Sequence, residues 1–453
     1  MNKLAILKQY VLTKYGRKFS SKTALESYQN KRIRKHIKFV IKHSPFFHQY
    51  YQNNQEDLKQ NHWSSLPIIE KSTMMEHFDD FNTVGIKKDD ALKVAFEAEQ
   101  TRNFSPKIGD ISVGLSSGTS GNRGVFLVSD KESALWAGTI LAKVLPGSIF
   151  GRHRIAFFLR ANNNLYSSTE NERISFHFFD LLDDFLSHIH KLNQVQPSIM
   201  IGPPSILRKI AEWQKNGEIH IKPKKIVSVA EVLEDIDKQF IEDIFNQTLH
   251  QVYQCTEGFL AATCKHGTLH INEDLVVVQK EYLDEEKGVF IPIITDFTRT
   301  TQPIIRYRLN DILIERKTPC PCGSHFLALE RIDGRCDDLF YGLHKKSGEL
   351  IPLFPDFIRR AIMFASSEIT EYKVTQKTLE TIEVKLKINN NDESVKQDAM
   401  NELLKIWEHH HLVTPTIQFA PYDLAPSDKK LKRVENEMRG VINDSTSRYS
   451  HYK

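Results

Sequence analysis

The chain has 453 residues, 40% of them hydrophobic and 26% charged, a composition typical of a globular protein with two or three domains. Its 61 basic and 57 acidic residues leave a formal net charge of only +4, which argues against a dedicated nucleic-acid binder. The five cysteines do not form a disulfide framework and indicate a reducing compartment, so we expect a cytoplasmic protein. No apolar stretch reaches the roughly 18–20 residues that a membrane span requires.

The first 60 residues are predicted to be helical. Residues 1–20 mix apolar side chains with lysine and arginine and lack the uninterrupted apolar stretch of a secretory signal. We interpret this segment as an amphipathic surface helix, with a membrane-surface anchor as the alternative. The basic run at residues 31–36 is interpreted as a solvated helix face, or alternatively as a docking patch for a phosphate-bearing partner.

Short apolar runs then alternate with segments of helical period from about residue 104 to residue 311. Residues 154–159 and 225–229 are predicted to be buried strands, and residues 205–213 a helix. Beyond Arg335, residues 371–374 and 380–388 alternate like strands and residues 392–409 have helical spacing. We therefore predict an α/β fold with a large N-terminal domain (1–336) on mixed or parallel sheets and a small, mobile α+β C-terminal domain (337–453).

A loop rich in glycine and hydroxyl side chains is the most informative local segment. Residues 114–124 contain four glycines and four serines or threonines. Such a loop can present N–H and O–H donors to phosphate oxygens, although a hairpin loop without a ligand is the alternative. The loop lacks the Gly-Lys-Ser/Thr of P-loop nucleotidases and the spacing of a dinucleotide-binding fingerprint.

The centre of this loop resembles the phosphate loop of adenylate-forming enzymes, which include acyl- and aryl-CoA ligases, peptide-synthetase adenylation domains and luciferases. The matching residues are Ser116, Ser117, Gly118, Thr119, Ser120 and Gly121. Companion segments that resemble the same family follow in the family's order, at residues 253–257, at residues 295–297 together with 306–311, and at residues 333–338. The resemblance implies an enzyme that binds ATP and Mg²⁺ and activates a carboxylic acid.

The first companion segment implies three roles. Tyr253 would pack on the adenine, Thr256 would meet the phosphate, and Glu257 would help to hold magnesium. Hydroxyl and carboxylate oxygens suit a hard cation that also neutralises phosphate charge. Upstream, Val229 and Ala230 precede Glu231 where the family has a glycine-rich turn against the adenine, so the detailed adenine contacts stay open.

The other two segments imply ribose contacts and a hinge. Asp311, at the end of the second, would bind the ribose hydroxyls. In the third, Arg335 would contact ribose or phosphate, and Asp337 would be the pivot between the domains.

Further segments resemble the branch of phenylacetate–CoA ligases and coenzyme F390 synthetase-like proteins, at residues 42–47, 66–71, 267–274 and 320–323. Besides the turn at residues 229–231, one residue and one segment depart from the pattern expected of the family. Arg123 stands where a lysine usually follows the phosphate loop, which keeps the charge but changes its geometry. Residues 159–166 are polar and basic where a pocket for an aromatic acid would be apolar, unless this segment is simply a solvated loop.

A lysine near the C-terminus would stabilise the negative charge that develops during adenylation. Residues 425–434 resemble the family segment that carries this lysine, but its glycine is missing. Alignment on residues 432–434 selects Lys430, and alignment on residues 426–427 selects Lys429; we favour Lys430. The alternative is the basic start of a helix capped by Ser427 or Asp428.

Two close pairs of thiol and imidazole ligands indicate a structural zinc site. Cys264 and His266 form one pair, and Cys320 and Cys322 form the other. Zinc favours four tetrahedral sulfur and nitrogen ligands, and two such pairs would fill all four positions. The alternative is a turn with idle thiols.

The leading hypothesis is therefore adenylation of a carboxylic acid to an acyl-AMP, with pyrophosphate release, followed by acyl transfer. The resemblance favours coenzyme A as acceptor; an acyl carrier protein thiol or an amine is the alternative. A catalytically silent nucleotide-binding homologue is a hypothesis of a different class. A phosphate-loop kinase is disfavoured because the loop lacks its lysine.

Overall fold

The structure is a computed structural model that describes residues 2–60, 62–101, 106–115, 124–159, 173–180, 185–366, 368–389, 393–423 and 432–438. In these ranges the α-helices are Lys3–Val11 (α1), Lys22–His43 (α2), Pro45–Tyr50 (α3), Gln55–Gln60 (α4), Lys71–Glu76 (α5), Phe78–Phe81 (α6), Lys88–Thr101 (α7), Asp130–Val144 (α8), Phe185–Val195 (α9), Pro204–Lys215 (α10), Asp235–Phe245 (α11), Pro355–Ala365 (α12) and Glu393–His409 (α13). A π-helical turn continues α1 at Leu12–Gly16, and 3₁₀ turns lie at Gln52–Asn54, Trp63–Ser65 and Cys336–Asp338.

The strands are Lys107–Ile108 (β1), Ile111–Leu115 (β2), Val125–Ser129 (β3), His153–Leu159 (β4), Ile174–Asp180 (β5), Ile199–Gly202 (β6), Lys225–Ser228 (β7), Leu249–Cys255 (β8), Gly258–Thr263 (β9), Leu269–Ile271 (β10), Val276–Asp284 (β11), Val289–Asp296 (β12), Ile304–Arg308 (β13), Asp311–Glu315 (β14), Ala328–Arg335 (β15), Phe340–Leu343 (β16), Leu350–Leu353 (β17), Ile369–Thr378 (β18), Thr381–Ile388 (β19), Thr416–Ala420 (β20) and Val434–Asn436 (β21). The predicted strands at 154–159 and 225–229 are therefore β4 and β7, and the predicted helix at 205–213 is α10.

The described chain divides into two compact units. The first comprises Met1–Leu309 and Leu313–Ile332, and the second comprises Asn310–Ile312 and Asp333–Lys453. The sequence prediction places the boundary four residues later, between residues 336 and 337. That boundary, and the mobility predicted for the smaller domain, stay predictions.

A mixed sheet dominates the first unit. Among the described strands its order is β11-β12-β14-β15-β10-β9-β8-β7-β6-β4-β5, with β13 paired to β12. Strands β4 to β8 pair in parallel, because helices α9, α10 and α11 carry the chain back between them. From β8 onward the described pairs are antiparallel, because short turns join consecutive strands. The predicted α/β class with mixed sheets is confirmed.

The parallel strands are buried on both faces, which explains their continuous apolar runs. In β4, Ile155 and Phe157 pack into one cluster with α8, while Ala156 and Phe158 pack into another with α10 and α11. Successive side chains of a strand point to opposite faces, so a fully apolar run fits a central strand covered on both sides.

A buried glutamate anchors the start of α8. Glu132 and Ser129 form a capping box, in which each side chain accepts a hydrogen bond from the other residue's backbone N–H. The carboxylate of Glu132 also accepts hydrogen bonds from the backbone of Thr300 and Thr301 and from the Thr301 hydroxyl. Burial opposes its ionisation, but Arg299 and these hydrogen bonds lower the pKa of Glu132. This carboxylate thereby fixes the turn that follows β12.

The second unit is a small α+β fold. A four-stranded sheet of order β20-β19-β18-β21 and the hairpin β16-β17 pack with α12 and α13 around Tyr372 and Trp407. The predicted strands at 371–374 and 380–388 are β18 and β19, and the predicted helix at 392–409 is α13. Across the described residues of both units, none of the helices has the length and hydropathy needed to cross a membrane.

Candidate functional site

The turn between β8 and β9 presents the side chains expected to bind nucleotide and magnesium. Cys255 pairs with Gly258 across the two antiparallel strands, so Thr256 and Glu257 form the two-residue connection. The Thr256 hydroxyl donates a hydrogen bond of 3.0 Å to Oε2 of Glu257. Tyr253, on β8, is buried in the core beneath this turn. The register of one hairpin therefore groups the three residues.

The surroundings of the turn are aromatic and polar. The Trp136 indole of α8 donates a hydrogen bond of 3.1 Å to the side-chain oxygen of Gln254. Tyr307 lies on β13; burial raises its pKa, and the negative charge of Glu257 raises it further. Glu257 itself is only half-buried. An accessible carboxylate beside a hydroxyl is a donor set that fits a hard cation such as Mg²⁺.

A second carboxylate, Asp296, lies behind the same turn. It ends β12, is buried, and accepts hydrogen bonds from the backbone N–H (2.8 Å) and hydroxyl (2.6 Å) of Thr298. A Cβ added to Gly258 would lie 3.0 Å from its Oδ2 atom, so the turn and this carboxylate touch. Burial raises the pKa of Asp296 to about 6, although the hydrogen bonds from Thr298 oppose the shift. The sequence placed Asp296 in the segment that resembles the family, at residues 295–297, but indicated no role for this residue itself.

The turn after β7 holds Glu231 in a constrained position. Ala230 has a φ of 70°, and the backbone N–H of Glu231 donates a 2.9 Å hydrogen bond to the carbonyl of Val229. A tight turn closed across one residue at positive φ is strained for any residue with a Cβ. The Glu231 carboxylate accepts a 3.4 Å hydrogen bond from the backbone N–H of Ser205, near the start of α10. Glu231 is thus fixed at the carboxyl end of β7, an edge at which open α/β sheets bind ligands.

The second unit contains the two residues predicted to contact ribose. The Nε atom of Arg335 lies 3.6 Å from Oδ1 of Asp311, so these side chains form an ion pair. A backbone hydrogen bond of 3.0 Å from Cys336 to the carbonyl of Asn310 connects the same two segments. Asp337 lies in the 3₁₀ turn that follows β15. The structure brings Asp311 and Arg335 together; their role in nucleotide binding stays a prediction.

Several predicted site residues lie outside the described residues: Ser116, Ser117, Gly118, Thr119, Ser120, Gly121, Lys429 and Lys430. The strands around the predicted phosphate loop are described, however. Leu115 at the end of β2 pairs with Val125 at the start of β3 in an antiparallel hairpin. The two strands that flank the predicted phosphate loop in the sequence therefore pair with each other.

A cluster of three thiols and one imidazole forms a candidate metal centre. The ligand atoms of Cys264, His270, Cys320 and Cys322 all lie within 4.8 Å of one another. The Sγ atoms of Cys264 and Cys320 are 3.6 Å apart, and Sγ of Cys322 is 3.4 Å from Nε2 of His270. Tetrahedral zinc with Zn–S bonds of about 2.3 Å sets its sulfur ligands about 3.8 Å apart. The observed spacing therefore fits zinc.

The histidine of this cluster is His270 and not His266, which corrects the ligand set expected from the sequence. His266 lies in the turn between β9 and β10, where its side chain is exposed and its backbone N–H donates a 3.4 Å hydrogen bond to Sγ of Cys264. His270 follows on β10, where its ring is buried and faces Cys322. The hairpin turn at Gly267, with a φ of 76°, directs the chain back so that the later histidine reaches the thiols.

Comparisons with known proteins place these features in a family of folds. No protein-family model matches the chain. The solved structure of a 2-hydroxyisobutyryl-CoA ligase, in the postadenylation state with its acyl-AMP, superposes with a TM-score of 0.67. The match has 15% sequence identity and covers 92% of this chain and 89% of that one. The fold is that of the adenylate-forming ligases.

Two known proteins are also similar to this chain in amino-acid sequence. Protein CapK of Staphylococcus aureus is 28% identical over 208 residues, which is 45% of this chain and 44% of CapK. Indoleacetate–lysine synthetase of Pseudomonas savastanoi is 29% identical over 234 residues, 48% of this chain and 57% of the synthetase. The chain therefore matches only about half the length of these relatives.

The segments that resemble the family lie at three places in this fold. The β2–β3 hairpin, the β8–β9 turn and the β14–β15 region carry three of the segments that resemble the family. The fold agrees with the superfamily that the sequence indicated, and membership of that superfamily stays a prediction. The branch of phenylacetate–CoA ligases stays a prediction.

Proposed function

We propose that the chain is an ATP-dependent ligase that converts a carboxylic acid into its acyl-AMP with release of pyrophosphate. The β8–β9 turn carries this proposal, because it supplies Thr256 and Glu257 above the buried Tyr253 in the fold of adenylate-forming ligases. The loop at residues 116–121, which resembles the family's phosphate loop, would bind the phosphates of ATP. The fold and the turn support this function together, because one fold hosts many functions and many sequences form a two-residue turn.

For this reaction the protein mainly has to position the carboxylic acid and ATP and to stabilise the negative charge on the phosphates. A carboxylate attacks the α-phosphorus of ATP and pyrophosphate leaves, so no covalent bond to the enzyme is needed. The Thr256 hydroxyl would donate to a phosphate oxygen in place of its present bond to Glu257. Mg²⁺, held by Glu257, would supply neutralisation of phosphate charge. Lys430, or Lys429 in the other alignment, would stabilise the developing negative charge.

Residues from several of the segments that resemble the family would hold the adenine and ribose of ATP. Tyr253 and Glu231 would flank the adenine. Asp311 would accept hydrogen bonds from the ribose hydroxyls, while Arg335, its ion-pair partner, would contact ribose or phosphate. Asp337 would be the hinge for the change from adenylation to acyl transfer.

We propose coenzyme A as the acyl acceptor, as the resemblance implies. An amine is the second candidate, and one observation favours it. A protein named for joining indoleacetate to lysine is 29% identical over nearly half of this chain. A carrier-protein thiol is the third. The five cysteines further favour a reducing compartment, and we propose that the enzyme acts in the cytoplasm.

We also propose that Cys264, His270, Cys320 and Cys322 bind a structural zinc ion. Three thiolates and one imidazole would fill all four tetrahedral positions and leave none for water. The ion would fasten the β9–β10 turn to the loop before β15. Its role would then be stability and not catalysis.

The decisive experiment is exchange of labelled pyrophosphate into ATP over a panel of aryl, fatty, hydroxy and amino acids. We expect exchange that depends on both Mg²⁺ and one class of acid. Folded protein that binds ATP yet supports no exchange with any acid would favour a catalytically silent homologue. Once an acid is identified, coenzyme A, free amines and a carrier protein are compared as acceptors by the acyl product formed.

A further inference from the structure

An apolar stripe on the N-terminal helix points to solvent. Four large side chains of α1 and its π-helical extension are exposed at spacings of three and four residues, so they share one face: Leu4 (77% exposed), Leu7 (39%), Val11 (47%) and Tyr15 (59%). Leu12 beside them is also 39% exposed. The nucleotide site proposed above does not use this face.

The opposite face of the same helix is fixed to the protein. Ile6 and Tyr10 are buried against α8, and the Gln9 side chain donates a 2.9 Å hydrogen bond to the hydroxyl of Thr139. The helices approach so closely that a Cβ added to Gly138 would lie 2.5 Å from the carbonyl oxygen of Ile6. The helix therefore cannot rotate to bury its outer stripe, and the stripe is presented in a defined orientation.

A neighbouring loop extends the exposed apolar surface. The Lys14 ammonium donates to the carbonyl of Gly147, and the Tyr10 hydroxyl accepts a 3.2 Å hydrogen bond from the backbone N–H of Ile149. These bonds hold the loop that follows α8 beside the helix. At its end Phe150 is 68% exposed.

The N-terminal segment carries mainly positive charge. Residues 1–25 contain six lysines and arginines and no acidic residue, and two of the six, Arg17 and Lys22, form ion pairs with Asp274 and Glu273. Lys3 and Lys8 are exposed on α1, Lys18 is exposed just after the π-helical turn, and Arg152 is exposed beyond the loop. A second copy of the chain would set positive charge against positive charge. An anionic lipid surface instead complements both the charge and the apolar stripe.

We propose that this surface, formed by α1, its π-helical turn and Phe150, is a peripheral binding site for anionic membranes. The helix would lie in the plane of the interface with the apolar side chains among the lipid headgroups and acyl chains, and the lysines against the anionic headgroups. The acyl-activating reaction would then take place at a membrane surface. This inference is independent of the acid and acceptor proposed above.

The test is co-flotation of the full chain with vesicles of phosphatidylcholine alone and of phosphatidylcholine with about 30% phosphatidylserine. We expect binding to the anionic vesicles at low salt, at least tenfold weaker binding to neutral vesicles, and loss of binding at about 0.5 M salt. The double variant Leu4→Glu/Val11→Glu is expected to weaken binding at least tenfold. Both positions are exposed, so its melting temperature should match the wild type.

The matched control is Phe364→Glu, which removes a 77% exposed aromatic side chain from α12 in the second unit. Flotation of this variant should equal that of the wild type. The proposal is overturned if the wild type does not float with anionic vesicles at low salt, or if Phe364→Glu loses as much binding as the double variant. It is also overturned if sedimentation shows a dimer that the double variant dissociates, because the stripe would then be a self-association surface.

Discussion

The Nε2 atom of His270 lies 3.4 Å from the Sγ atom of Cys322, and its other ring nitrogen, Nδ1, donates a 3.2 Å hydrogen bond to the carbonyl of Phe326. This second bond fixes the tautomer, because a carbonyl only accepts. The lone pair of Nε2 is therefore directed at the thiol cluster. A backbone carbonyl behind a metal-binding imidazole is a common arrangement in zinc sites.

The first prediction concerns the zinc ligands. His270→Ala should reduce bound zinc from about one per chain to below about one tenth, whereas His266→Ala should leave it unchanged. Metal analysis of protein purified without a histidine tag measures both. The pair is matched, because the two histidines lie four residues apart on one hairpin. Equal zinc loss in both variants would contradict the proposed ligand set. Wild-type protein that contains no zinc would contradict the zinc site itself.

The second prediction concerns Glu257. Glu257→Gln removes the negative charge that we propose for magnesium binding but keeps the size of the side chain. Pyrophosphate exchange should fall about 10²–10³-fold, and the Mg²⁺ concentration for half-maximal rate should rise. Glu285→Gln, an exposed position in the β11–β12 turn, serves as control and should retain full exchange. A Glu257→Gln enzyme with wild-type magnesium dependence would assign the metal to another residue.

The third prediction distinguishes the two candidate lysines. Lys430→Ala should lower adenylation about 10²–10³-fold, because a cation that stabilises developing charge contributes several kcal/mol to the transition state. Lys429→Ala should stay within a few-fold of the wild type. Single-turnover formation of acyl-AMP measures this step separately from acyl transfer. The reverse pattern would select the other alignment, and two active variants would place the charge stabilisation elsewhere.

The sequence predicted the fold better than it predicted the sites, because helices and strands depend on local periodicity whereas the sites depend on contacts between distant segments. β4, β7 and α13 follow from local periodicity, which spacing alone reveals. The choice of His270 over His266 depends on the turn at Gly267 and on β10 meeting β15, neither of which spacing encodes. The position of Asp296 beside the β8–β9 turn could not be predicted for the same reason, since only the folded sheet places this residue against Gly258.

The fourth prediction concerns the strained turn after β7. Ala230 has a φ of 70°, where a Cβ clashes with the following carbonyl and glycine does not. Ala230→Gly should raise the free energy of unfolding by about 0.5–1 kcal/mol, because the relief of strain exceeds the added flexibility of the unfolded chain. Ala230→Val should lower it. Urea unfolding of the three proteins measures the order, and a Gly variant less stable than the Val variant would contradict the strain.

The fifth prediction follows from the pKa of Asp296, which burial raises from its ordinary value of 3.8 to about 6. Between these pH values the folded protein binds the proton more tightly than the unfolded chain. The free energy of unfolding therefore declines as the pH rises through this window. Above pH 6 the buried Asp296 carboxylate is ionised, and its full destabilising effect is present. A shift of about two units corresponds to about 3 kcal/mol.

Replacing the carboxylate by an amide should remove this pH dependence. Asp296→Asn keeps an oxygen that can accept from Thr298, so its unfolding free energy relative to the wild type should increase by up to about 3 kcal/mol between pH 4 and pH 7. Asp284→Asn is the contrasting control, because backbone and lysine hydrogen bonds lower the pKa of Asp284. Its ionised form stabilises the fold, so this variant should be less stable than the wild type by a nearly constant amount between pH 4 and pH 7, and the difference should shrink only as the pH falls below 4. Parallel pH profiles for wild type and Asp296→Asn would show that Asp296 stays ionised in the folded protein throughout this range.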